Sequence, residues 1–187
     1  MADDLDDDEG DKMDPYFEKF AGPLGRVILE FNYLEVDAGR MIARLLNQDD
    51  VIAALFAGAL SFLDKLKLIK AIVPLKIANE ELRQDFIALV DEATRVNGLR
   101  NRYIHAEYMP LIGPNDELVT MLHQRLKDHG KSIDSSKQET IDDLLQPVDE
   151  AALKKLALDI HALAHRTRVL AEKFASSEES VGDVRLR

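Results

Sequence analysis

Apolar side chains recur every three or four residues over long parts of the chain, which is the pattern of amphipathic helices. The first apolar stripe follows Pro23 and predicts a helix over residues 24–47; its members are Val27, Phe31, Leu34, Ala38, Met41 and Leu45. A second stripe consists of Leu82, Phe86, Leu89, Val90, Ala93 and Val96. A third consists of Leu153, Leu156, Ile160, Leu163, Leu170 and Phe174.

Residues typical of helix ends divide the segment between the first two stripes. Asp50 is suited to cap a short helix that runs through Ala57. Ser61 and Asp64 have the spacing of a capping box, with Asp in place of the usual Glu. They predict the start of a further helix, which we expect Pro74 to end.

The second half of the chain contains two long helical patterns with an irregular segment between them. Asn79 is suited to cap the helix that carries the second stripe, and Asn97-Gly98 predicts a kink or a brief end in it. The helical pattern then continues to Pro110. Residues 111–145 combine turn chemistry with a stretch that fits a strand or a helical turn, so they predict a loop or hairpin insert. The last helix is expected over about residues 146–176.

These patterns predict an all-α fold, an antiparallel four-helix bundle with a loop or small β-hairpin insert before the last helix. Each helix has one apolar face, and that face must be buried against its neighbours. We expect one domain over residues 15–176, preceded by an acidic disordered tail at 1–14 and followed by a frayed C-terminus at 177–187.

The charge of the chain is concentrated at its N-terminus. The formal net charge is -11, of which residues 1–14, with eight acids and one Lys, contribute -7. The remainder carries only -4, which disfavours a broad nucleic-acid-binding face but leaves room for a small one. There is no cysteine, the N-terminus is unlike a signal peptide, and no run of about 18 apolar residues occurs. We therefore expect a cytoplasmic protein without a membrane span.

One short segment is basic within this acidic protein. From Thr94 to His105 there is no acid, while Arg95, Arg100 and Arg102 contribute three positive charges. The segment contains the pattern RN-x-x-x-H, formed by Arg100, Asn101 and His105.

Helix geometry predicts that these three side chains can meet. Asn101 and His105 are four residues apart and share one face, and Arg102 is also a neighbour of His105. Arg100 lies about 140° around the helix from His105, but its long side chain can reach the same cleft. An imidazole can exchange a proton at neutral pH, and a guanidinium matches phosphate oxygens. Together they suit cleavage of a phosphodiester by an internal 2′-hydroxyl without a metal or cofactor. The alternative is a helix-end histidine beside surface arginines.

Other charged residues also suggest sites. Glu35 lies beside the buried stripe of the first helix, and we expect it either to orient Arg100 or to reach water. His161 and His165 are four residues apart on a helix and form either a metal-binding pair or two exposed histidines. A basic stretch is interpreted as a solvated helix face; it consists of Lys65, Lys67, Lys70 and Lys76.

The motif formed by Arg100, Asn101 and His105, at the end of the third long helix of a small helical bundle, resembles the HEPN superfamily. The resemblance covers residues 24–176 in predicted architecture and about ten residues in specific motif. It implies a metal-independent endoribonuclease, a toxin or defence effector, that acts as a homodimer with both motifs in one cleft. On this basis Arg100, Asn101 and His105 are expected to be catalytic.

The resemblance also implies partners and further contacts. We expect RNA as the substrate, contacted by Arg102, Tyr103 and Tyr108, because phenol rings stack on bases. An antitoxin or a nucleotidyltransferase is the expected protein partner. In HepT toxins a tyrosine stands two residues after the motif histidine, whereas Glu107 stands there in this chain. Modification of that tyrosine therefore does not carry over, and a non-catalytic dimeric interaction module remains the alternative.

Overall fold

The computed structural model describes residues 15–115, 118–125 and 146–184. Within these residues 78% are helical, in five helices, and a small antiparallel sheet accounts for the strands. The helices are α1 Pro15–Leu45, α2 Asp50–Ala59, α3 Phe62–Lys76, α4 Glu80–Ile104 and α5 Glu150–Val184. The strands are β1 Ala106–Ile112, β2 Leu118–Arg125 and β3 Gln146–Pro147, in the order β1-β2-β3.

The predicted apolar faces form the core of the protein. All members of the first stripe on α1 and of the second stripe on α4 are buried. The third stripe on α5 is buried as well. α1 packs along α5 and also contacts α2 and α3, while α4 lies against α3 and α5. The protein is therefore mainly helical, as the periodicity predicts.

Side chains at the helix starts satisfy the free backbone N–H groups. Ser61 Oγ accepts a hydrogen bond from Asp64 N at 3.2 Å and donates one to Asp64 Oδ2 at 2.6 Å, so Ser61 is confirmed as the cap of α3. Asn79 caps α4 by accepting from the backbone N–H of Leu82 at 2.9 Å. The cap of α2 is Asp49 and not the predicted Asp50, and that helix ends at Ala59 rather than Ala57.

The prolines have less effect on helix boundaries than predicted. α1 begins at Pro15 and contains Pro23 in its interior, although Pro23 was expected near the start of the helix. Phe20 and Val27, on either side of Pro23, are both buried. Packing of these side chains offsets the backbone hydrogen bond that a proline removes. Pro74 lies inside the last turn of α3, which ends at Lys76.

The end of α4 differs from the prediction. The helix passes through Asn97 and Gly98 without a break and stops at Ile104, six residues before Pro110. From Ala106 onward the chain forms β1, which pairs with β2 and places Tyr108 opposite His123. The sheet thus begins within the segment predicted to be helical, because pairing with a strand beyond the turn supplies the backbone hydrogen bonds.

The insert and the chain ends are described in part. The stretch that fitted either a strand or a helical turn is β2, and most of the remaining insert, residues 126–145, lies outside the described residues. α5 begins at Glu150, with Asp149 Oδ1 accepting from the N–H of Ala151 at 2.8 Å, and extends to Val184, eight residues beyond the predicted end. The predicted tail at 1–14 and residues 185–187 also lie outside the described range.

None of the helices in the described ranges is long and apolar enough to cross a membrane.

Candidate functional site

The candidate site lies where α4 gives way to the sheet. His105 is the C-cap of α4, with φ -108° and ψ 35°, and its backbone N–H donates to the carbonyl of Asn101 at 3.3 Å. The side chain of His105 is exposed. The helix end and the first strand therefore hold the backbone of His105 on both sides while its ring faces solvent.

Arg100 connects the three residues of the motif. Its Nη1 donates to Oδ1 of Asn101 at 2.8 Å and lies 3.4 Å from Nε2 of His105. Its guanidinium carbon is 4.8 Å from the ring centroid of Phe31 on α1, within the range of a cation–π contact. The structure thus brings Arg100, Asn101 and His105 together, with Phe31 supporting the guanidinium from the side of α1.

The contact between Arg100 and His105 depends on the state of the imidazole. A guanidinium only donates hydrogen bonds, so Nε2 of His105 has to accept in this arrangement. That requires a neutral ring with its proton on Nδ1. In this state Nε2 is the ring nitrogen that can take a proton from another group once Nη1 of Arg100 turns away.

Burial and charge act in opposite directions on Arg100. Removal of the guanidinium from water lowers the pKa of Arg100, and the negative charge of Glu35 raises it. Nε of Arg100 is buried and makes no hydrogen bond within the described part of the chain. A guanidinium keeps its charge in proteins, so the site has a fixed cation in a half-buried position.

Glu35 interacts with a different cation from the one predicted. Its Oε1 accepts a hydrogen bond from Nζ of Lys65 at 2.8 Å. Lys65 is fully buried at 0% exposure, so the prediction that it belongs to a solvated lysine face is wrong. Glu35 therefore acts on Arg100 through its charge and not, as predicted, through a direct orienting contact. Lys67 and Lys70 are exposed and paired with Asp64 and Asp91, as a solvated face predicts.

The two tyrosines near the motif pack partly into the protein. The hydroxyl of Tyr108 donates to the backbone carbonyl of Tyr103 at 2.6 Å. Burial, together with a smaller contribution from Tyr103, raises the pKa of Tyr108 to about 12. Both rings are partly buried and pack against the core. Their expected role in stacking on RNA stays a prediction, and the structure gives them a packing role.

His123 is a residue near the site that the sequence analysis did not identify. It is 4% exposed, and its ring centroid lies 5.3 Å from that of Tyr103 and 6.2 Å from that of Tyr108. Burial, and then the positive charge of Arg102, lower the pKa of His123. Its Nδ1 is buried without a hydrogen-bond partner among the described residues. The signal in the sequence is the alternation of Met121 and His123 on one side of β2, both of them buried.

The histidines of α5 lie in a different place. Nδ1 of His161 is 2.9 Å from Oε2 of Glu30, and both His161 and His165 are exposed. No group of three or more Asp, Glu or His side chains that could hold a metal ion occurs among the residues whose positions the structure describes. His161 is accordingly a partner of Glu30 on the surface between α1 and α5.

No protein-family model, no curated protein and no solved structure matches this chain. The assignment of a function therefore depends on the geometry of the site and on the motif resemblance.

Proposed function

We propose that the protein is a metal-independent endoribonuclease of HEPN type, with an active site shared between two copies of the chain. The observation that supports this most is the contact of Arg100 Nη1 with both Asn101 Oδ1, at 2.8 Å, and His105 Nε2, at 3.4 Å. It joins a fixed cation to a titratable base at a surface that solvent reaches.

The proposed reaction is an internal transesterification. The 2′-hydroxyl oxygen attacks the adjacent phosphorus while His105 of one copy takes the hydroxyl proton. The bond from phosphorus to the 5′-oxygen breaks, and protonated His105 of the other copy donates a proton to that oxygen. The products are a 2′,3′-cyclic phosphate and a free 5′-hydroxyl. Arg100 binds a non-bridging oxygen and stabilises the charge that develops there.

The hydrogen bonds of the site without substrate suggest how a bound phosphate releases His105 to act as a base. Phosphate is a stronger acceptor for a guanidinium than a neutral imidazole, because the hydrogen bond is charge-assisted. When Nη1 of Arg100 turns to the phosphate, the lone pair on Nε2 of His105 becomes free to accept the proton of the 2′-hydroxyl. Asn101 keeps the guanidinium in place through Oδ1, and Phe31 supports it from α1.

The proposed homodimer follows from the number of proton transfers. The base and the acid stand on opposite sides of the phosphorus, and one copy of the motif offers one histidine. A two-fold axis supplies the second one. Mixing wild-type protein with an excess of His105→Ala, at concentrations that allow exchange of subunits, should lower the rate per wild-type chain. A rate that follows only the amount of wild-type chain would contradict a shared site.

Catalysis is tested with purified protein, mixed RNA and EDTA. His105→Ala is expected to lower the cleavage rate by about 10²–10⁴, the usual contribution of a general acid–base group. Arg100→Ala is expected to lower it by about 10², the scale of removing one donor to a developing oxyanion. His165→Ala is the matched control, since it removes an exposed imidazole on α5. Equal background cleavage by all four proteins would reject the proposal.

A non-catalytic interaction module is the second candidate, favoured by Glu107. This carboxylate is exposed two residues after His105 and adds a negative charge to the segment that would meet a phosphate. Such a module would bind a protein partner, for which an antitoxin or a nucleotidyltransferase is the proposal that follows from the resemblance. The hydroxyl of Tyr108 is half-buried and bonded to Tyr103, so a modifying enzyme could reach it only after that bond opens.

A further inference from the structure

The last three turns of α4 expose a face that carries arginines and no acid. Arg95, Gly98 and Arg102 are exposed, and helix geometry places them on one side because they are three, four and seven residues apart. His105, three residues after Arg102, continues this line at the helix end. Between Arg95 and His105 the chain contains no Asp or Glu. We call this line of residues the arginine stripe.

The acidic residues just before the stripe are occupied by other cations. Asp91 pairs with Lys70 at 3.0 Å, and Glu92 pairs with Arg166 at 2.6 Å. Neither arginine of the stripe forms an ion pair with a carboxylate of another described residue. Both guanidinium groups are therefore available to an anion that arrives from solvent.

Gly98 leaves the surface open between the two arginines. A Cβ atom built at this position would meet nothing within 4 Å beyond its chain neighbours and the backbone of its own helix. The helix backbone is thus accessible at the centre of the stripe, and an elongated ligand can lie close to it. A glycine inside a helix lowers the stability of the protein relative to alanine, and no packing contact at Gly98 requires a glycine there.

The dimensions of the stripe fit a short length of nucleic acid. Arg95 and His105 are ten residues apart, which is about 15 Å along a helix. A stacked strand with the spacing it has in a duplex, about 3.4 Å per nucleotide, covers that distance with about four nucleotides. The C-terminal end of a helix carries about half a negative charge, which opposes phosphate. Arg95, Arg100 and Arg102 provide three positive charges over the same turns and outweigh it.

We propose that Arg95 and Arg102 bind phosphates of a single RNA strand on one side of the bond that Arg100 and His105 cleave. This inference rests on the proposed function and extends it to a class of substrate, a single strand held by its backbone. Contacts to phosphates carry no base information, so this part of the site binds without sequence preference. A single strand is required because in-line attack needs a backbone that can bring the 2′-oxygen opposite the leaving oxygen.

Binding is measured with a probe that the enzyme cannot cleave. A fluorescent single-stranded 2′-O-methyl oligonucleotide of about twelve nucleotides covers a site of the size typical for single-strand binding. Its anisotropy is followed with the full-length chain over a range of salt concentrations. The variants are Arg95→Gln, Arg102→Gln and Gly98→Glu, which places a negative charge in the open position. Arg26→Gln is the control, because Arg26 is an exposed arginine on α1.

Each stripe variant is expected to weaken binding about three- to ten-fold, and each arginine variant should reduce the slope of log affinity against log salt by about 0.7. Arg26→Gln is expected to bind like the wild type. Three outcomes would overturn this proposal. They are no binding of the probe by the wild type, an unchanged salt slope in both arginine variants, or an equal loss of probe affinity in Arg26→Gln. Equal competition by polyglutamate would assign the stripe to acidic peptides instead.

The proposal for the arginine stripe and the proposal of nuclease activity can be rejected independently of each other. Stripe-dependent binding of the probe together with absence of RNA cleavage would support the stripe and reject the enzyme. Cleavage that is unchanged in Arg95→Gln, with unchanged probe binding, would support the enzyme and reject the stripe. Circular dichroism of all variants, expected to match the wild type because the substituted positions are exposed, shows that a loss of binding is not a loss of folding.

Discussion

The ion pair of Glu35 and Lys65 predicts an unequal response to removal of its two partners. Nζ and Oε1 are 2.8 Å apart, Lys65 is 0% exposed and the Glu35 side chain is 32% exposed. At an effective dielectric constant of about 20, the attraction of two charges at this distance is about 6 kcal/mol before desolvation is subtracted. Because water still reaches Glu35 but not Lys65, losing the partner costs more free energy for the charge of Lys65 than for that of Glu35.

Glu35→Gln replaces the charged acceptor that Oε1 presents to the buried ammonium with a neutral one. Breaking a buried pair from one side costs about 3–5 kcal/mol, and the partial exposure of Glu35 reduces the expected loss of unfolding free energy to about 2–3 kcal/mol. Lys65→Met removes the buried charge, keeps an apolar side chain and leaves a carboxylate that water can solvate. We therefore expect Lys65→Met to change the unfolding free energy by about 1 kcal/mol or less.

Urea unfolding of the wild type, both single variants and the double variant measures these differences. The double variant is expected to resemble Lys65→Met, because the glutamine no longer faces a buried charge, and the cycle then gives a coupling of about 2 kcal/mol. A larger loss of unfolding free energy in Lys65→Met than in Glu35→Gln would contradict this prediction. So would additive effects of the two substitutions, since additivity means that the two groups do not interact.

Three further predictions concern residues close to the site. Burial lowers the pKa of His123, so below about pH 6.5 the unfolded chain binds a proton at this residue more readily than the folded chain does. The unfolding free energy should therefore fall as the pH drops from 7.5 to 5.5. Chemical unfolding of His123→Phe should show a smaller fall over the same range. Tyr108→Phe should lower stability by about 1–2 kcal/mol by leaving the Tyr103 carbonyl without its donor, and the absorbance change of tyrosine ionisation near pH 12 should be smaller in this variant. Gly98→Ala should raise stability by about 0.5–1 kcal/mol, because the added methyl group meets no other atom, and an unchanged or lower melting temperature would contradict this.

The helical core could be predicted because it depends on a local pattern. A period near 3.6 residues identifies the buried faces of α1, α4 and α5 from the sequence alone. The end of α4 could not be predicted in the same way. Residues 106–110 continue a plausible helix, but pairing of β1 with β2 gives them a lower-energy alternative that only the tertiary structure supplies.

Parts of the site were predictable for a similar reason. The spacing of Asn101 and His105, and the reach of Arg100, follow from the geometry of one helix, and the structure brings these groups together. The pairing of Glu35 depends on how α1 meets α3, and lysine spacing along α3 carries no information about that. A lysine is almost never fully buried unless it is paired, so a run of lysines by itself favours a solvated face over the buried position that Lys65 occupies.

The Phe31 contact shows how the core and the site are connected. The same apolar stripe that buries α1 places the Phe31 ring beneath the guanidinium of Arg100. The ring also contacts Phe62 of α3, with centroids 4.7 Å apart. The position of this guanidinium is thereby tied to the packing of three helices, which limits its freedom before any ligand binds.

If Arg100 and His105 perform the proposed transesterification on RNA, the chemistry of the product ends shows it. A defined single-stranded RNA is incubated with the protein in EDTA, and the new ends are identified by mass spectrometry. The proposed mechanism predicts a 2′,3′-cyclic phosphate and a 5′-hydroxyl from the wild type, with formation of both almost abolished in His105→Ala. Wild-type rates from His105→Ala, or ends that carry a 5′-phosphate, would contradict it.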